Sequence, residues 1–343
     1  MPSIDYQLAE YSDLFMLLAA FTYTVAFLAF TWDLAKSSKT LKAIDQKAAS
    51  AAPAQRVMAT AGAPAGPEGS ARQWGGGEAV TADDAMGYTG ARRNAARVAV
   101  ALTVLGTLIH AAAVVMRGMA AHRVPWGNMY EFCTTGALVV SVIFLLVLLR
   151  RDLRFLGTFV IGLVLIMMMA ATIGFPTPVG HLIPALQSYW LIIHVSVAVI
   201  ASALFTLTFA MSVLQLLQAD REAKVRAGAK ERLAFLKIVP SAQSLENFSY
   251  RINAVAFVLW TFTLMAGAVW AEQAWGRYWG WDTKEVWTFV IWVVYAGYLH
   301  ARATRGWTGT RAAWLSIVGY LCVVFNFTIV NVYFAGLHSY SGV

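Results

Sequence analysis

The chain has 343 residues, of which 59% are hydrophobic and 13% charged, with a mean hydropathy of +0.60; soluble domains carry about 25% charged residues, so an ordinary water-soluble domain is excluded. The net charge of +8 raises nucleic acid as a partner, but the basic residues are sorted by membrane side, and no nucleic acid is expected. Cys133 and Cys322 lie far apart in apolar runs, which excludes a CxxC redox pair or an internal disulfide framework.

Apolar runs of about 20 residues mark membrane-spanning helices. About eight are predicted, at 14–32, 98–116, 131–149, 155–173, 189–217, 252–270, 286–301 and 312–334. The fold class is therefore an all-α polytopic membrane helix bundle. The flank ahead of the first run has no Lys or Arg and carries Asp5, Glu10 and Asp13. That is the reverse of a secretory signal, so residues 1–35 are read as an N-terminal transmembrane anchor. Residues 36–96 are rich in Ala, Gly, Pro, Ser and Gln, lack apolar periodicity, and are expected to form a disordered cytoplasmic linker. The remaining runs make one transmembrane domain, 97–343, whose fifth helix is long enough to project beyond the bilayer.

Orientation follows from the Lys and Arg count. With the N-terminus outside, the stretch from Lys36 to Arg97 carries nine, the turn 150–154 three, the 218–251 loop seven and 302–311 three, which gives 22 of the 26 inside. The outer segments hold only Arg117, Arg123, Arg277 and Lys284. An N-out, C-out arrangement is predicted.

The loop 270–285 between the sixth and seventh runs lies outside on this topology. It holds Trp270, Trp275, Trp279 and Trp281, interleaved with Gly276, Tyr278, Gly280 and Asp282. One reading is an interfacial aromatic belt. The other is a compact binding surface: flat rings suit a flat ligand, and glycines allow close backbone approach. Asp282, Lys284 and Glu285 are expected at its rim, to orient charged groups of a ligand or a partner.

Six histidines are present. His194 falls about 8 Å below the outer end of the fifth helix at 1.5 Å per residue, and His338 follows the eighth. Both reach the space beside the tryptophan loop. Imidazole is a common axial ligand of haem iron, so this pair would hold one iron from opposite faces while the indoles hold the macrocycle. His300 lies near the inner end of the seventh helix and cannot serve the same iron; on position alone it is an interfacial histidine beside Arg302 or a separate site. His110 is read as a satisfied buried histidine. His122 and His181 are read as surface residues.

The segment Trp275-Gly276-Arg277-Tyr278-Trp279-Gly280-Trp281-Asp282-Thr283-Lys284-Glu285 resembles the tryptophan-rich WWD signature of haem-handling proteins in cytochrome c biogenesis, in particular the CcsA-type (ResC-type) component of system II. The segments 187–195 around His194, 295–302 around His300, 336–340 around His338 and the outer motif 125–131 are similar to segments of that family, in order and on the matching side. The resemblance covers roughly residues 98–343. The family usually has Pro where this chain has Thr283, which leaves Thr283 to cap the seventh helix.

The resemblance implies a holocytochrome c synthase (lyase-type) component in the bacterial cytoplasmic membrane. Haem b would be received through His300, with a second axial ligand from a CcsB/ResB-type membrane partner. It would then be held outside by His194 and His338, with Trp275, Trp279, Trp281 and Asp282 at the ring edge. An apocytochrome c Cys-x-x-Cys-His segment, reduced by a separate thioredoxin-like protein, would add its thiols to the haem vinyl groups. No residue of this chain is read as catalytic in itself: position and iron ligation are what it supplies. Two other functions share parts of this pattern, a membrane b-type cytochrome for electron transfer and a haem exporter without synthase activity.

Overall fold

The computed structural model describes residues 3–59, 84–88, 93–229, 233–334 and 336–338, with side chains absent from the description over 38–59. Among them there are helices and no strands. Eight long helical stretches alternate in direction: α1 (Tyr6–Ala59), α2 (Asn94–Ala120), α3 (Met129–Leu148), α4 (Gly157–Met169, prolonged by a π-turn to Gly174), α5 (Tyr189–Arg226), α6 (Ala242–Trp275), α7 (Thr283–Arg305) and α8 (Thr310–Phe327), followed by a single turn, α9 (Ile329–Tyr333). Large apolar side chains such as Leu17, Leu108, Val258 and Met265 face outward. In water such a surface would be an aggregation liability; in lipid it is the expected exterior of a multi-pass membrane protein.

The helix ends follow local chemistry. Asn128 and Ser188 cap α3 and α5 by accepting the N–H groups of Glu131 and Trp190. α6 and α7 stop at Gly276 and Gly306, both left-handed (φ +69° and +59°), a conformation that a Cβ disfavours. Asp282, not Thr283, is the N-cap of α7, in a capping box with Glu285. The helix still begins at residue 283, as expected.

Seven of the eight long stretches are long and apolar enough to cross a membrane by composition alone, and α7 is not one of them. Its Trp, Tyr and His residues and the charges near both ends lower its hydropathy. Its geometry still takes it across the bundle. It starts beside the tryptophan loop and ends where Arg302 bonds Glu246, in the second turn of α6, and its 23 residues rise about 34 Å. The linker reading is also revised. α1 continues through 36–59, where Ala, Lys and Gln favour helix without an apolar stripe. Residues 60–83 lie outside the described residues.

Two buried cores flank α5. One joins α1–α4, including Tyr23, Phe30, Phe144 and Phe155; the other joins α5–α8 around Phe205, Trp260 and Tyr295. α5 is the central helix, with 67% of its apolar window buried against 28% for α1 and α6. Its 38 residues rise about 57 Å, so it does project beyond a bilayer. At the end away from the tryptophan loop, segment 84–88 is tied down: Asp84 accepts the Ser241 N–H and Met86 accepts the Asp152 N–H.

Candidate functional site

The first turns of α5 and α7, the last turns of α6 and α8, and the loops 126–129 and 276–282 surround one cavity of about 1160 Å³, counting its open mouth. His194 and His338 both line it, together with Trp270, Trp275, Trp279 and Lys284. Topology alone predicted that meeting of the two histidines. Trp260, Thr288 and Phe327 form further wall, and the Trp260 Nε1–H donates to the Thr288 carbonyl.

His194 is set by its surroundings. Its Nδ1 lies 3.0 Å from the Thr263 carbonyl, and Trp270 meets its ring edge-on at 5.6 Å between centroids. Space for the imidazole comes from Gly267, where a Cβ would lie 2.8 Å from the His194 Cε1.

His338 reaches the cavity from the tail after α9. Its Nδ1 lies 2.5 Å from Asp282 Oδ2, and Trp275 stands edge-on to its ring at 4.8 Å. The hydrogen bond from His338 is the main cause holding the Asp282 carboxyl below the usual carboxylate range. The polar groups expected at the rim take other places. Lys284 and Glu285 line the cavity, and Asp282 does not. Lys284 Nζ donates to the Asn326 carbonyl and to Asn331 Oδ1, at 2.9 and 2.7 Å. Glu285 Oε2 accepts the N–H groups of Gly280 and Asp282, while its Oε1 is buried without a partner. Trp270 Nε1 is likewise buried and unpartnered on the same wall.

Trp281 stays outside the cavity. It is 77% exposed, packs edge-on to Trp279, and has a left-handed backbone (φ +59°) that is uncommon for a bulky residue. His300 is elsewhere too: seventeen residues along α7 from Thr283, about 25 Å by helical rise, with its side chain exposed on the flank of the bundle. His122 and His181 are exposed, as expected. His110 is buried, as expected. It lies edge-on to Tyr23, with the Thr134 backbone as its polar neighbour.

One group of functional interest was not visible as a site in the sequence. Glu131, fully buried at the start of α3, accepts hydrogen bonds from Arg123 at 2.7 and 2.9 Å, from Arg117 at 3.3 Å and from the Gly127 N–H at 2.7 Å. Arg123 also donates to the Gly180 carbonyl. The network fixes loops 121–128 and 175–187, which supply Trp126, Asn128 and Leu186 to the cavity wall. In the sequence Glu131 closes the outer motif 125–131, but its pairing with Arg117 and Arg123 depends on contacts that motif does not announce.

A cavity with two imidazoles, indole walls and unpartnered polar atoms is suited to a flat ligand with a ligatable centre and polar edges. The comparisons with known proteins bear on the same region. The family described as Cytochrome C assembly protein matches residues 126–338, so the match opens at Trp126 and closes at His338, both of them cavity residues. A Cytochrome c biogenesis protein CcsA from Heterosigma akashiwo is 34% identical over 245 residues, covering 63% of this chain and 76% of that protein. The CcsA protein of Guillardia theta is 37% identical over 232 residues, with the same two shares of 63% and 76%. That of Prochlorococcus marinus (strain MIT 9303) is 33% identical over 262 residues, 70% of this chain and 82% of that protein.

Proposed function

This chain belongs to the cytochrome c assembly family, as a CcsA-type cytochrome c biogenesis protein, and from that premise we propose that it holds haem b in the cavity beside the tryptophan loop and presents it to apocytochrome c. The observation that carries the reading is the convergence of His194 and His338 on one cavity walled by Trp275 and Trp279. Imidazoles on opposite sides of the ring would take the two axial positions of the iron. The buried, unpartnered Trp270 Nε1 and Glu285 Oε1 offer a donor and an acceptor to polar groups of the ligand.

In this reading a reduced Cys-x-x-Cys-His segment enters through the cavity mouth. Each thiol adds across one vinyl group: sulfur bonds one vinyl carbon, the thiol hydrogen goes to the other, and no net electron transfer is needed. The segment's own histidine replaces one of the two axial imidazoles. The protein contributes alignment of the reactants, a large term for a two-partner addition. His300, exposed at the far end of α7, is read as one half of an earlier haem site, completed by a histidine of a CcsB/ResB-type membrane partner. A thioredoxin-like protein keeps the substrate thiols reduced. On the charge count the tryptophan loop faces outward, and the family resemblance makes the bacterial cytoplasmic membrane the proposed location.

The test is a pyridine haemochrome spectrum of the protein purified with its partner, as wild type and as His194→Ala, His338→Ala and His300→Ala. Non-covalent b-type haem in the wild type, reduced in the two cavity variants and restored by added imidazole, is the expected result. Haem content indifferent to all three substitutions would return the tryptophan loop to an interfacial belt.

A further inference from the structure

The three charged residues opening α7 reach three different elements. Asp282 meets His338 on the tail. Lys284 bonds the Asn326 carbonyl at the end of α8 and Asn331 in α9, the turn that leads into that tail. Glu285 takes the N–H groups of Gly280 and Asp282, so it holds the loop from which the Asp282 carboxylate projects. The tail also runs tight against that carboxylate: a Cβ on Gly336 would lie 2.2 Å from Asp282 Oδ1. A side chain at that position would require the Asp282 carboxylate to move.

From this arrangement we infer that Asp282 is a positioning residue for His338, acting on the ligand through that imidazole and not by contact of its own. The inference rests on the haem reading above for its consequence, not for its geometry. An ionised carboxylate only accepts hydrogen bonds, so the His338 Nδ1 carries the proton and Nε2 is left with the lone pair available to a metal. A carboxylate behind a ligating imidazole fixes its tautomer and orientation and strengthens it as a donor. His194 has a neutral carbonyl in the same place. The two imidazoles of the cavity are therefore unequal: one is built into a helix and backed by a neutral group, and the other is carried on the tail and backed by a charge.

A double-substitution cycle tests this. Asp282→Asn keeps a residue able to cap α7 while removing the carboxylate. If Asp282 acts through His338, Asp282→Asn weakens haem retention about 10–100-fold, the range for loss of a ligand's hydrogen-bonded partner. Combined with His338→Ala, it then weakens retention no further than His338→Ala alone, and added imidazole raises occupancy in both. A double variant clearly worse than His338→Ala would mean that Asp282 touches the ligand itself. An Asp282→Asn protein equal to wild type would mean that the carboxylate is dispensable. Either result overturns the inference.

The second readout is hydrogen exchange of the peptide carrying His338 in the haem-free protein. It should speed up in Asp282→Asn and no further in the double variant, with His338→Ala between them and wild type because its backbone N–H can still reach the Asp282 carboxylate. An Asp282→Asn protein exchanging like wild type would again overturn the inference. Because this readout needs no haem, a wild type that carries none would sink the haem reading and leave the positioning question decided separately.

Discussion

At the tryptophan-loop end, buried Glu131 accepts Arg123 and the Gly127 N–H, both at 2.7 Å. At the opposite end, buried Glu246 accepts Arg302 at 2.6 Å and the Gly309 N–H at 2.7 Å. Each end is locked by one glutamate that joins an arginine to a loop glycine, and each lies near a histidine suited to ligation. They differ in what the lock encloses. The first holds the wall of a cavity that contains two histidines; the second anchors a helix whose histidine, His300, points away from the bundle. On the proposed reading the chain carries one site whole and another only by half, and exposed His300 is where a partner would complete the second.

The sharpest way to break this comparison is to remove one histidine at a time. His194→Ala should abolish bis-histidine haem in the cavity whether or not the partner is present. His300→Ala should leave haem supplied to the cavity from outside unaffected, and abolish only the partner-dependent pool. Haem stoichiometry with and without the partner measures both. Equal losses from the two substitutions under all conditions would mean that the two ends form one site.

The locks themselves come next. Removing one member of a buried ion pair costs about 3–5 kcal/mol because the other charge is left unpaired. Glu131→Ala and Glu246→Ala should therefore both lower the melting temperature in detergent by similar amounts. Haem retention in the cavity should fall only for Glu131→Ala, whose loops form the wall. If Glu246→Ala empties the cavity equally, the ends are coupled through the helices rather than locked independently.

The parts of this organisation legible in the sequence were those that depend on composition and order along the chain. Apolar runs located the helices, and alternation across the membrane brought His194 and His338 to one end. What sequence did not reveal depends on side-chain direction and long-range register. Trp279 faces the cavity while Trp281, two residues on, is turned out by a left-handed backbone, a local conformation that no residue pattern announced. The contact of Asp282 with His338 joins positions 56 apart, a pairing no local pattern announces. Residues 36–59 were read as linker because they lack an apolar face, although helix propensity survives without one.

A finer break of the comparison uses Gly267. Inside a helix, Gly→Ala is favourable by about 1 kcal/mol, but here the added methyl would meet the His194 ring. Gly267→Ala should therefore leave the melting temperature close to wild type, with cavity haem retention down by about tenfold, on the order of 1.4 kcal/mol. Retention at wild-type level would show that His194 has room to shift and that its setting is looser than the geometry describes.

The smallest effect is expected where this chain departs from the family's usual sequence. Thr283 is the first residue of α7, a position that favours Pro because φ is already suitable and the N–H has no helical partner. Replacement of a residue by Pro at a compatible site stabilises by about 0.4–1 kcal/mol through the unfolded chain. Against that, the Thr283 N–H is one of the weaker influences holding the Asp282 carboxyl below its usual range, after the hydrogen bond from His338. Thr283→Pro should thus change the melting temperature little and leave haem retention unchanged at neutral pH. The sign at low pH follows from the direction of the shift. A carboxyl held below its unfolded value, 3.8, adds stability that is full above that value and is lost as pH falls through the folded one. Removing one support raises the folded value toward the unfolded one, so the variant's tail should release at slightly higher pH than the wild type's. Hydrogen exchange of the His338 peptide between about pH 5 and 3 would register it. A release point that does not move would assign the Asp282 carboxylate to His338 alone.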